Sequence, residues 1–238
     1  MSASTIAKSS STSPYANSAF WERLWRMSGI NFLAFFVIAY FLYGYQPPVG
    51  ATAEALAAFY DGNRTRILIA TVISGLAVLN FLWFAAALRT ALADAGQGGW
   101  GAAATASSAV AGSLLLLLFT IGAALAYSIA GSGQGAFVSA LNDFAWACVV
   151  LSSFPRGMFI MSSAFGFWRA GLISNSLFTA GVVVVVLTVL GGTTWLSDGF
   201  WSPYGAYSRL VSPIIGLVWV VVVSRVLSTR SPATRAGW

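Results

Sequence analysis

Six apolar runs dominate the sequence, and each is close to the length a helix needs to cross hydrocarbon, about 20 residues. They are Met27–Tyr45, Ile67–Leu88, Ala109–Ala130, a stretch within Phe137–Trp168, Leu177–Leu196 and Leu210–Leu227. The third contains the leucine string Leu114–Leu118 and the fifth the valine string Val182–Val186. In water a valine string suggests a strand. In lipid the backbone must satisfy its own polar groups, so a helix is the expectation. A β-barrel would need short alternating segments of about ten residues, and these runs do not alternate. The expected fold is all-α: a polytopic membrane helix bundle with six transmembrane helices spanning residues 20–228.

Composition narrows the chemistry. Only 8% of the 238 residues are charged, against about 25% in a soluble domain. There is no histidine, which removes histidine metal sites, Ser-His-Asp triads and imidazole proton shuttles. A single cysteine removes disulfides within the chain. The net charge of +6 does not indicate nucleic acid, because the basic residues are scattered at the run ends rather than clustered.

Those basic residues orient the chain. With the N-terminus in the cytoplasm, the inner side receives Lys8, Arg23, Arg26, Arg89, Arg169, Arg225, Arg230 and Arg235, and the outer side Arg64, Arg66 and Arg209. The excess favours an N-in, C-in arrangement by the positive-inside rule, with Arg64 and Arg66 as a local violation. Arg156 falls within the fourth run and is not counted.

The remaining segments carry less. Residues 1–19, rich in Ser, Thr and Ala, are expected to be a disordered cytoplasmic tail and not a signal peptide. Residues 229–238 are expected to be a second cytoplasmic tail. Trp21, Arg23, Trp25 and Arg26 suit a cytoplasmic membrane interface. Pro47-Pro48 should stop the first helix. Ala53–Tyr60 reads as a short helix capped by Thr52, with Leu56, Phe59 and Tyr60 placed on the membrane surface. Arg89–Ala104, with Gly96, Gly98, Gly99 and Gly101, reads as a flexible inner loop. Trp195, Phe200, Trp201, Tyr204 and Tyr207 belong to an outer loop at headgroup depth. No motif supports an internal repeat.

Few residues offer chemistry. Pro155-Arg156 lies near the middle of the fourth run if that run is one helix. A charge there costs about 2.5–3.5 kcal/mol, so it faces a bundle interior or water. Pro155 removes a backbone donor and frees a carbonyl. Two readings stand: a substrate or anion contact at a kinked helix, or a run that ends near Phe154. In the second, Arg156 is an inner anchor and Met158–Trp168 an interfacial segment. Asp143 is the only acid within a run. In a straight helix it lies about 20 Å from Arg156, too far to be its counter-ion. It is either a hydrated carboxylate in the first turns of a helix, beside Asn142, or an intramembrane proton carrier.

The polar residues Asn31, Asn80, Thr120, Ser152, Ser153, Ser162, Ser163 and Thr188 read first as interhelical hydrogen-bonding groups and second as a polar path. Ser74-Gly75, Ser108, Gly112, Gly122 and Gly181 allow close helix approach. Cys148 reads as an apolar filler. Asn63-Arg64-Thr65 matches a glycosylation acceptor, which matters only in a eukaryotic secretory pathway. No phosphate loop, dinucleotide fingerprint or HExxH motif occurs, and no cofactor or metal is expected.

Several strings together resemble a known pattern. They are Ala57-Ala58-Phe59-Tyr60 before Asn63-Arg64-Thr65-Arg66, Phe81-Leu82-Trp83-Phe84 ending in Leu88-Arg89, and Phe154-Pro155 followed by Trp168-Arg169. The chain from about Arg23 to Val223 resembles an uncharacterised family of bacterial six-pass membrane proteins. The resemblance implies six helices in a bacterial inner membrane and transfers no catalytic residue.

Three functions are open at this point. The first is a binding or scaffold module, or a partner subunit, set in the lipid bilayer alone, with a protein partner or as a homo-oligomer. The second is a small-solute transporter or channel with a polar contact at Arg156. The third is an intramembrane enzyme, for which six scattered acids and no histidine make a thin set.

Overall fold

The computed structural model describes residues 18–228, and their side chains from Met27 onward. The two expected tails lie outside the described residues, apart from Ser18 and Ala19, which are helical rather than part of a tail. The side chains of Trp21, Arg23, Trp25 and Arg26 also lie outside them.

The described chain is helical, with no strand among its residues. The helices are α1 (Ser18–Tyr43), α2 (Ala53–Tyr60), α3 (Arg64–Asp94), α4 (Gly98–Ala124), α5 (Gly135–Leu151), α6 (Ser153–Arg169), α7 (Asn175–Leu190) and α8 (Ser212–Ser228). Five continuous helical stretches are long and apolar enough to cross a membrane: Arg64–Asp94, Gly98–Ser132, Gly135–Arg169, Asn175–Thr193 and Tyr207–Ser228. A sixth, Met27–Tyr43, is apolar but shorter. The valine string is helical, within α7, and Val182, Val183 and Val186 face outward. Large apolar side chains are exposed on the other helices too, including Phe41 and Val72. Helices apolar all round suit lipid as the surrounding solvent.

Helix ends follow local chemistry. The helix α1 stops at Gly44, before the prolines, because Gly44 takes the left-handed conformation at φ 80°. The expected inner loop Arg89–Ala104 does not form. The helix α3 runs on to Asp94, α4 begins at Gly98, and only Ala95–Gln97 separate them. Alanine-rich sequence favours helix, and a Schellman cap makes the turn: Gln97 N donates to Leu92 O at 2.7 Å and Gly96 N to Ala93 O at 2.9 Å.

The short helix α2 forms over Ala53–Tyr60, and the Thr52 hydroxyl accepts from Ala55 N at 3.3 Å. Of the three residues expected on the membrane surface, Phe59 is half-buried, whereas Leu56 and Tyr60 face inward. Leu56 and Tyr60 are fully buried against Ile67, Leu125 and Val138. The cause is tertiary: Tyr60 has a polar partner on α5.

Packing is mainly between α1 and α3, α3 and α4, α4 and α6, and α6 and α7, with α8 returning against α1 and α7. Two buried clusters result. One contains Phe32, Phe81, Phe84, Phe159, Phe167 and Trp219. The other contains Tyr43, Tyr60, Ile67, Phe119 and Leu125. Between them lies a cavity.

Candidate functional site

The cavity measures ≈ 160 Å³ and draws its walls from α1, α3, α4, α5, α6 and α8. Phe32, Phe36, Phe81, Phe119 and Phe159 supply aromatic walls, and Leu115, Leu118, Val149, Ile160, Leu217 and Val220 aliphatic ones. Its polar boundary consists of Gln46, Ser152, Ser208, Arg156 and Arg209, with Tyr40, Tyr43 and Trp146. No acidic residue lines it among the described residues.

Arg156 reaches this cavity from the first turn of α6, within the continuous helical stretch Gly135–Arg169. The α-helical assignment breaks at Ser152, whose backbone stays right-handed (φ −60°, ψ −17°). Pro155 follows in the first turn of α6 and, lacking an N–H, cannot bond the Leu151 carbonyl four residues back. The helix α6 then buries Phe159, Ile160, Ala164 and Phe167 in the core. The reading of Met158–Trp168 as an interfacial segment is therefore replaced by a packed helix.

Arg156 is partly buried and makes only neutral contacts. Its Nε donates to Ser152 O at 3.2 Å, and its Nη2 to Ser153 Oγ at 2.9 Å and Ser212 Oγ at 3.4 Å. A guanidinium carries five N–H donors, and among the described residues Nη1 finds no acceptor. Ser153 and Ser212 are buried, and a side chain at Gly191 would meet both hydroxyls at 2.6 and 2.8 Å. The glycine backbone thus lets the serine pair close around Arg156.

Arg209, counted from sequence only as an outer charge, lines the same cavity. It sits in a π-helical turn, Tyr207–Val211, whose widening is marked by Ser212 N donating to Tyr207 O, five residues back. The next residue, Pro213, has no N–H and its ring would clash with the Arg209 carbonyl in a regular α-turn. The wider turn avoids that clash. The Arg209 guanidinium lies over the Tyr45 ring, 3.1 Å from its centroid, and 5.7 Å from that of Trp146. Its Nη1 is buried and without a hydrogen-bond partner.

Asp143 does not join Arg156. It accepts from Gly50 N at 3.2 Å and from Asn142 Nδ2 at 3.4 Å, in the third turn of α5. Its neighbour Asn142, mentioned from sequence only in passing, is the better-connected residue. Asn142 Oδ1 accepts from Gln46 Nε2 at 3.2 Å and Tyr60 Oη at 2.9 Å. Its Nδ2 donates to Pro47 O at 3.4 Å and Pro48 O at 3.2 Å. Trp146 Nε1 adds a bond to Pro47 O at 2.8 Å. Burial pushes the Tyr60 phenol up, which keeps it a donor. Together these bonds strap Gly44–Ala51 across α5, and Gly44 and Gln46 of the strap line the cavity.

The other polar residues of the runs mostly bond within their own helices. Ser74, Asn80, Ser162 and Ser163 donate to the carbonyls of Ala70, Leu76, Met158 and Ile160. The carbonyl one turn back is the nearest acceptor, and it wins over the interhelical partners expected from sequence. Trp219 Nε1 to Ser163 Oγ, 2.8 Å, is an exception. Cys148 is buried, and Asn63 Nδ2 donates to Phe59 O. Trp195 and Phe200 of the aromatic loop are exposed, while Tyr207 is buried and donates to Leu187 O.

No protein-family model, no curated protein and no solved structure matches this chain.

Proposed function

We propose that the protein is a six-span, N-in and C-in membrane protein of the bacterial inner membrane that works by binding a small ligand in its central cavity, not by catalysis. One observation carries this reading: two arginines border a single aromatic cavity in which no acid opposes them. A concave, mostly apolar space with a few convergent polar groups is the usual form of a small-ligand site. The bilayer is its solvent.

A second reading, a small-solute transporter, draws on a different observation. The helical break at Ser152 adjoins both Arg156 and the cavity, and discontinuous helices at mid-membrane often mark transport sites.

Native mass spectrometry of protein extracted gently from its own membranes tests the binding reading. The expected result is a lone chain or homo-oligomer retaining a small molecule. A ligand-free chain held in fixed ratio with a second protein would overturn it in favour of a scaffold or subunit. The orientation has its own test in a Cys148→Ala background. Ser197→Cys should react with an impermeant thiol reagent in intact cells, and Gly98→Cys only after permeabilisation. The opposite pattern would reverse the orientation.

A further inference from the structure

We infer that the cavity takes a small organic anion with an apolar body, its charged end held by Arg156 and Arg209. The inference rests on the binding reading above and adds the chemical class of the ligand.

Charge sets the head group. Two guanidinium groups border the space, and no carboxylate lines it to offset them. Arg156 spends its visible bonds on uncharged oxygens. Arg209 is held against rings and leaves Nη1 buried and unmatched. A cation without a counter-charge in a low-dielectric interior is costly, and removal of one partner of a buried pair is costly for the same reason. A ligand carboxylate or phosphate would supply the missing charge, and the planar fork of arginine matches its oxygens. Both arginines converge on one turn: Arg209 precedes by one helical turn the Ser212 whose hydroxyl Arg156 engages. A cationic ligand would find no carboxylate in the lining and two like charges beside it.

Shape sets the rest. Beyond the arginines, Gln46, Ser152 and Ser208 the walls are mainly rings and aliphatic chains, with Phe32, Phe81 and Phe119 among them. The volume, ≈ 160 Å³, is below the roughly 300–1,000 Å³ of sites for drug-sized ligands. It is close to the about 150 Å³ of an engineered apolar cavity that holds benzene. A carboxylate on a chain or ring of about six carbons fits that space by this comparison. The same head-group chemistry could come from a free organic acid or from an anionic lipid whose head enters from the bilayer.

The experiment uses the full chain in nanodiscs of zwitterionic phosphatidylcholine, with tryptophan fluorescence as the readout because Trp146 lines the cavity. Hexanoate, hexanol, hexylamine and inorganic phosphate are titrated separately. Hexanoate should bind at least tenfold more tightly than hexanol or hexylamine, and phosphate alone should be weaker still. Arg209→Gln and Arg156→Gln should each weaken hexanoate tenfold or more and leave hexanol unchanged. Arg156→Lys and Arg209→Lys should fall between. Repeating the hexanoate titration with phosphatidylglycerol in the disc separates the sources. Competition identifies a lipid head as the natural anion, and unchanged binding identifies a free acid. Equal binding of hexanoate and hexanol would overturn the anion inference and leave the cavity a binding site. Absence of binding by all four probes would overturn both. The comparison of hexanoate with hexanol needs no variant, so it stands even if a substitution prevents folding.

Discussion

Asn142 and Arg156 lie on the same helical stretch, Gly135–Arg169, yet they have opposite surroundings. Asn142 is fully buried and uses its whole capacity: two donors reach its oxygen and its amide nitrogen reaches two carbonyls and Asp143. Arg156 meets three neutral oxygens and keeps donors in reserve beside an open space. In a low-dielectric interior a saturated polar group specifies structure. One with spare donors at a cavity wall is better explained by something that comes and goes. The difference separates the part of α5 that holds the fold from the joint at which the proposed ligand would bind.

Substitutions sharpen that contrast. The largest effect belongs to Asn142→Ala. It strands the Gln46 amide and the Tyr60 hydroxyl, removes one of the donors to each of the Pro47 and Pro48 carbonyls, and should lower stability by about 3 kcal/mol. Thermal melting in mild detergent reads this, and a change below about 1 kcal/mol would mean that water replaces the side chain well. Trp146→Phe removes the bond to Pro47 O while keeping a smaller ring beside Arg209 and Tyr204, and should lower stability by about 1 kcal/mol. A larger loss would assign the indole a packing role beyond that bond. Arg156→Met should have the smallest effect on melting, within about 1 kcal/mol of the parent or slightly stabilising, because an apolar side chain is easier to bury than a charge. A loss as large as that of Asn142→Ala would make Arg156 structural and erase the contrast.

Much of the fold was legible because hydrophobic length is a local property. The runs anticipated the helical stretches, the Thr52 cap was readable from one residue, and the helical state of Val182–Val186 followed from lipid alone. The expected Arg89–Ala104 loop failed because glycines were read as breakers, whereas only Gly96 takes the left-handed conformation there. Leu56 and Tyr60 were misplaced because groups that bury them are distant in sequence: Leu125 and Val138 in their cluster, and Asn142, 82 residues from Tyr60, which accepts its hydroxyl. Arg156 could be singled out by its charge within an apolar run. Arg209 could not, since its position at a run end looked like ordinary topology. Its signal was the proline four residues later, which only a known helix register turns into a statement about direction.

That proline also has a consequence for phase. A π-helical turn carries one residue more than an α-helical turn, so residues before it are offset by about 100° from where an unbroken helix would set them. The helix α8 can therefore aim Trp219, Val220 and Val223 at the core on its own register, while Tyr207 and Arg209 follow another. The two faces are free to change independently. A single-residue deletion in Tyr207–Val211 would bring them back into one phase and turn the Arg209 side chain away from the cavity without altering its composition.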